Sequence, residues 1–256
     1  MLKPIASILL LIPFALQAQT KQALPDSQDS IAAVKQYPKG KNIIKTNLSS
    51  LVFNNYSITY ERRVANRISL SVGYRYMPNG SLPFQSRVKD VIKSNNIDFD
   101  NFQIGGYAVT PELRLYAHRN MRGFYIAPYV RYSSMDLTVP VQYTSTVTKE
   151  ALFSGTITAF SGGLMLGTQH NIFKNCVIDI WIIGANFGNS SGRLNATFAP
   201  PMSAQEQTAL QSSIDQIDAT PYKVTGKVSS STTAYLDASG PWLGVRAMGI
   251  NFGIRF

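Results

Sequence analysis

Counted back in steps of two from its last residue, the chain places Phe256, Ile254, Phe252, Ile250 and Met248 on one face and Arg255, Gly253, Asn251, Gly249 and Ala247 on the other. One bulky apolar face and one small or polar face at a period of two describe a β-strand lying between two different media. Seven earlier segments repeat the pattern, with apolar positions at Ile44, Leu48 and Val52; Tyr56, Ile58 and Tyr60; Ile68, Leu70, Val72, Tyr74 and Tyr76; Leu113 and Leu115; Phe124, Ile126, Val130 and Tyr132; Phe160, Leu164 and Leu166; and Ile178, Ile180 and Ile182. Beyond the first twenty residues no apolar run is long enough for a spanning helix, which needs about 20 residues. If such a chain enters a membrane, it does so as strands closed on themselves, because an open sheet edge leaves backbone groups unpaired in hydrocarbon.

The connections between these segments alternate in length. Ala65–Asn66, His118 to Met121 and His170 to Asn175 are tight; Pro78 to Phe102, Asp136 to Leu152 and Phe187 to Gly240 are long, and only Asn54–Asn55 is short where a long one is allowed. Short turns on one side and long loops on the other are the habit of up-and-down barrels in outer membranes. The longest loop carries a helix signature: Ser203 and Glu206 form a capping box, Leu210, Ile214 and Ile217 make one stripe, and Pro221 stops it. That helix either covers the mouth of the barrel or docks a partner.

The chain opens "MLKPIASILLLIPFALQAQT", a positive start, a short apolar stretch and a small residue at Ala18, the form of a secretory signal peptide over residues 1–19. A polar leader at 20–41 follows, and the strands occupy 42–256. Within the leader, Asp29–Ser30–Ile31 resembles a short O-glycosylation acceptor. Charged residues make up 15% of the chain, against about 25% in ordinary soluble domains. The net charge of +10 is spread over single basic residues without a basic run, which argues against nucleic acid and for anionic lipid or lipopolysaccharide.

A final strand of alternating hydrophobics ending in phenylalanine resembles the C-terminal signal of Gram-negative outer-membrane barrels. By that resemblance Phe256, Ile254 and Phe252 are read by the barrel-assembly machinery. The stretch from Lys45 to Tyr76 is similar to the barrels grouped as domain of unknown function 3575, through Lys45, Thr46, Asn47, Leu48, Asn55 and Glu61, with Pro111, Glu112 and Arg114 matching that family's second motif. The resemblance implies an outer-membrane barrel and brings no catalytic residues with it.

Parity puts Glu61, Arg75, Glu112, Arg114, Arg131 and Asp179 on the inward face. An eight-stranded barrel is just wide enough for side chains to fill, and charges buried there must pair. Three acids against three arginines suggest an ion-pair ladder plugging the interior; the alternative is a selectivity cluster of a conduit. Enzymatic chemistry is not expected. The two histidines, His118 and His170, fall in tight turns, and Cys176 stands alone. No cofactor or metal is expected: no His or Cys pair has ligand spacing, and Asp98 and Asp100 lack the glycine and the terminal glutamate of a calcium loop.

The sequence therefore predicts an all-β protein: an eight-stranded antiparallel up-and-down transmembrane β-barrel in the outer membrane, with long extracellular loops and one short loop helix. Tyr76 and Trp242 are expected near the outer aromatic girdle and Phe124 and Phe256 near the inner one. The expected role is structural, or binding of a protein partner through the outer loops; the alternative is a small-solute conduit or an accessory subunit of an envelope transport or assembly complex.

Overall fold

A computed structural model describes residues 40–81 and 102–256. The expected signal peptide, leader, glycosylation acceptor and Asp98/Asp100 loop lie outside the described residues. Nine strands form one sheet: β1 Asn42–Asn47, β2 Tyr56–Arg63, β3 Ile68–Ser81, β4 Gln103–His118, β5 Arg122–Thr144, β6 Thr148–Asn171, β7 Cys176–Thr197, β8 Lys223–Val228 and β9 Thr233–Arg255. Each strand from β1 to β7 pairs antiparallel with the next, β9 pairs with β7, and β9 also pairs with β1, so eight strands close into a ring. The closure runs from Ile43↔Arg255 to Asn47↔Asn251. The last residue takes part, since the Phe256 amide donates to the Asn42 carbonyl and the Asn42 amide donates back.

The strands are very unequal. β1 has 6 residues and β2 has 8, whereas β5, β6, β7 and β9 have 22 to 24. The first strand was expected to run on to Val52. It stops at Asn47 because that side chain caps a short helix, α1 (Leu48–Leu51), accepting from the Ser50 amide at 2.8 Å. Two expected loops are mostly sheet. The span from Asp136 to Leu152 is a continuous hairpin with a turn only at residues 145–147. The span from Phe187 to Gly240 continues β7 to Thr197, forms helix α2 (Ala204–Asp215) and returns through β8.

This upper extension has a core of its own. Val139, Val141, Tyr143, Phe153, Leu194 and Leu236 are buried together with Leu210 and Ile214 of α2. The capping box at Ser203 and Glu206 is present, and α2 packs against β5 and β8. Beneath it Leu194, Leu236 and Trp242 line an apolar chamber of about 220 Å³.

The outward face changes character at one level. Moving up β5 it reads Phe124, Ile126, Val130 and Tyr132, then Asp136 and Gln142; up β7 it reads Ile178, Ile180, Ile182 and Phe187, then Ser191, Arg193 and Asn195. Down β6 it passes from Ser154, Thr156 and Thr158 to Phe160, Leu164 and Leu166; down β9 from Asp237 and Ser239 to Leu243, Val245, Met248 and Ile250. The apolar stretch runs 9 residues on β5 (Phe124–Tyr132), 7 on β6 (Phe160–Leu166) and 10 on β7 (Ile178–Phe187). Tyrosines rim it on the neighbouring strands, Tyr74 against Tyr107 at 6.2 Å and Tyr107 against Tyr132 at 6.3 Å between ring centres.

Two local slips reset the alternation. In β7 an extra residue at Ile182 shifts the register between Leu166 and Gly167, leaving Ile182 and Ile183 both exposed. In β9 Met248 adopts φ +52°, a left-handed conformation rare outside glycine. The side chains of residues 242–246 are thereby turned over relative to the alternation counted from the last residue. Trp242, expected on the outer girdle, faces the interior chamber, and Arg246 points inward as well.

Candidate functional site

The interior of the ring holds a buried charge network. Lys45 Nζ donates to Glu61 Oε2 at 2.6 Å, Asp179 Oδ2 at 2.7 Å and Gln169 Oε1 at 2.9 Å. Arg114 bridges the same two acids and reaches up to Glu112 Oε2 at 2.7 Å from Nη2 and 2.9 Å from Nε. Arg246 Nη1 completes Glu112 at 2.8 Å. Tyr116 and Ser69 donate to Glu61, and Tyr125 donates to Asp179 at 2.7 Å. Three carboxylates thus face three cations, and all of these side chains except Arg246 are buried almost completely. Neutrality and full hydrogen bonding are what make such a cluster tolerable, since an unpaired buried ion costs several kcal/mol. Small residues make the space: a Cβ on Gly167 would sit 2.4 Å from the Tyr125 ring, and one on Gly163 2.7 Å from Tyr129. Below the network Arg255 closes the end of the ring, donating to the Asn120 carbonyl and to Asn171 Oδ1, both at 3.0 Å.

The pairing differs from the sequence-based expectation. Glu61, Glu112, Arg114 and Asp179 do come together. Arg75 and Arg131 do not join them, and their places are taken by Lys45 and Arg246. Lys45 shares the inward parity of Asn47 and was legible by that signal; Arg246 was hidden by the slip at Met248. Among the described residues neither Arg75 nor Arg131 has a carboxylate partner. The Arg75 Nε is buried without a hydrogen bond, and Arg131 Nε donates only to Ser133 Oγ at 3.3 Å.

These two arginines line a cavity of about 490 Å³ directly above the network. Its floor is Arg246, which lies over the Trp181 ring at 4.2 Å and the Tyr129 ring at 5.1 Å. Asn47, Ser57, Thr59 and Thr110 add polar groups to its wall. The cavity is also lined by Val245 and Met248, which are 75% and 81% exposed on the outside of the ring. A space bounded by both faces of a wall passes through it. The passage exists because β1 is short: it covers β9 only from Asn251 onward, and β8 covers it only up to Ser239. Among the described residues no strand pairs with that edge over residues 240–250. One hydrogen bond reaches it, from the Ile250 amide to Ser49 Oγ of α1 at 3.2 Å.

His118 and His170 are exposed at the end of the ring opposite α2, and His170 contacts Thr168 Oγ1 at 2.8 Å. Among the described residues no cluster of His, Cys, Asp and Glu is arranged to hold a metal ion. Ile254 and Phe252 lie on the closing strand and Phe256 directly follows it, with Ile254 and Phe256 exposed.

A family model described as "Protein of unknown function (DUF3575)" matches residues 29–188, a span ending in β7 just where the outward face turns polar. No curated protein and no solved structure matches the chain. With more than half of its length under that one model, the chain belongs to the DUF3575 family.

Proposed function

We propose that the ring is an outer-membrane β-barrel with its tight turns and both chain ends on the periplasmic side, and that the upper extension carrying α2 stands above the membrane as a binding surface. The role is non-enzymatic, structural or partner-binding, with no through-pore. The observation that carries this reading is the shared level at which four neighbouring strands change from apolar to polar on their outer face. A water-soluble ring has no reason to expose Phe124, Leu164, Leu166, Phe187 and Leu243 in one belt while burying Lys45, Glu61, Arg114 and Asp179 inside. The charge network below and the apolar core above support a closed interior. Lipopolysaccharide meets the belt, and the strand ending in Phe256 engages the assembly machinery.

Fractionation and protease shaving of intact cells test the placement. The protein is expected in the outer-membrane fraction, with cleavage confined to the Pro78 to Phe102 connection, the turn at 145–147 and connections within 198–232, and with the turns at 64–67 and 172–175 protected. Recovery as a monomer in the periplasmic fraction without detergent would overturn it. Planar-bilayer recording of the purified protein is expected to show no unitary current; a regular conductance step would overturn the closed interior.

A further inference from the structure

The cavity above the charge network serves neither the closed interior nor the upper binding surface. We propose that it binds the phosphate-bearing headgroup of a membrane amphiphile, which enters sideways through the gap between α1 and β9 and leaves its acyl chain against Val245, Met248 and Phe53. The inference rests on the outer belt facing lipid.

Four features converge on this occupant. The first is charge. Arg246 is paired with Glu112, whereas Arg75 and Arg131 have no carboxylate partner among the described residues, so the described lining of the cavity carries two unpaired positive charges. Arg75 is partly buried in the field of Arg246, and Arg131 in the fields of Arg75 and Arg246. Surplus cations held together inside a protein call for an anion, and guanidinium forks match the paired oxygens of a phosphate. A phosphomonoester, with up to two negative charges, balances two guanidinia.

The second feature is the entrance. A soluble anion would be expected to reach its site from water. This cavity is instead bounded outside by Val245 and Met248, within the apolar belt of β9, and by Tyr74 on β3. Among the described residues the buried apolar core of the upper extension lies above it and the ion network below it. The mouth therefore faces the side of the ring. The third feature is size, since about 490 Å³ lies within the range of small-molecule sites of roughly 300–1,000 Å³.

The fourth feature is the backbone. The edge of β9 over residues 240–250 has no strand partner among the described residues, and its outward side chains are apolar. Open sheet edges do not persist facing hydrocarbon, because each unmade hydrogen bond there costs several kcal/mol. A headgroup rich in acceptor oxygens supplies partners for those amides where Ser49 supplies only one.

The test uses the full-length mature protein folded in nonionic detergent, titrated with oleoyl lysophosphatidic acid. Binding is read by native mass spectrometry and by Trp181 fluorescence in a Trp242→Phe background, because Trp181 lines the cavity. One lysophosphatidic acid is expected to bind per chain. Lysophosphatidylcholine with the same tail is expected to bind at least about tenfold more weakly, the worth of one charge-assisted hydrogen bond. Inorganic phosphate and glycerol phosphate at the same concentrations are expected not to saturate the site. The Arg75→Gln/Arg131→Gln variant is expected to lose at least about tenfold in lysophosphatidic acid affinity, while a Glu206→Gln control keeps it. That variant is expected to fold and to melt no lower than the parent, since it removes partly buried cations that have no carboxylate partner among the described residues. Equal binding of the zwitterionic lipid, saturation by inorganic phosphate alone, no binding, or unchanged affinity in a folded double variant would each overturn the proposal. The lipid comparison on the parent protein decides the matter even where a variant fails to fold. A barrel that inserts into bilayers and shows no preference for lysophosphatidic acid ends this inference alone; a chain that stays water-soluble without detergent ends the membrane reading as well.

Discussion

Replacing Lys45 by methionine isolates what the interior network contributes. Lys45 Nζ serves Glu61 and Asp179 at 2.6 and 2.7 Å, and both acids are fully buried. Methionine is of similar length, so the change removes a charge with little change in volume. Glu61, Glu112 and Asp179 would then face only Arg114 and Arg246, leaving one uncompensated carboxylate in the interior. Breaking a buried pair by removing one partner costs about 3–5 kcal/mol. Because two acids and Gln169 lose a donor at once, the upper end of that range, about 5 kcal/mol, is expected. The companion variant Lys45→Met/Asp179→Asn restores the balance, with two cations against two acids, and the new amide still accepts from Tyr125. It is expected to lose about 2 kcal/mol less than the sum of the two single losses, a coupling of the size seen between residues of one network. Urea titration of the refolded protein, followed by fluorescence, measures both values through the midpoint at constant slope. If the double variant loses the sum of the two single losses, charge balance is not what holds the interior together, and the argument fails.

Further outcomes follow from other parts of the ring. Leu70→Arg, on the outer face of β3, is expected to cost about 2–4 kcal/mol near a bilayer midplane but within about 0.5 kcal/mol if that face meets water; refolding yield and urea midpoint in lipid vesicles separate the two. Leu210→Ala removes a fully buried side chain under α2 and is expected to cost about 2–4 kcal/mol locally. Amide exchange should then accelerate in α2 and β8 while the lower ring stays protected, and acceleration throughout the ring would contradict a separate upper core. The Glu206 carboxyl, hydrogen-bonded first by Lys149 and then by the Ser203 backbone, is held down to about 2. Its contribution to the start of α2 is therefore fully present above the usual glutamate range and is lost as pH falls toward 2, which exchange at residues 204–207 should register as fraying over that window.

Much of this arrangement was legible wherever a strand keeps one phase. Glu61 on β2, Glu112 and Arg114 on β4, and Asp179 on β7 before its extra residue were all placed inside by simple parity, and the structure joins them. The capping box at Ser203 was legible because it is a local hydrogen-bonding pattern. What escaped has physical reasons. Above the apolar belt the alternation inverts: apolar residues such as Val139, Val141 and Phe153 turn inward to an ordinary core, so a search for apolar-outward strands sees a loop. Arg246 and Trp242 were misplaced by a single left-handed residue, Met248, which no periodicity reveals. Helix α1 was hidden because Leu48 and Val52 extend the apolar count of β1, while the decisive event is an asparagine side chain capturing the Ser50 amide. The surplus of Arg75 and Arg131 was invisible for a different reason, because counting acids against arginines left out Lys45.

The inequality of the strands has a mechanical meaning for the sheet of lipid that would surround this ring. β1 and β2 have 6 and 8 residues in all, whereas the apolar outward stretch alone runs 9 residues on β5 (Phe124–Tyr132) and 10 on β7 (Ile178–Phe187). On the short flank the hydrophobic girth ends early, and α1 offers Leu48, Leu51, Val52 and Phe53 in its place. A bilayer meeting such a lopsided collar dips on one side only, at a strain of a fraction of a kcal/mol per ångström of mismatch. If the ring spans a bilayer, such a dimple would give the molecule a front and a back within the plane of the membrane, and neighbours with a matching low flank would gather there and share the distortion.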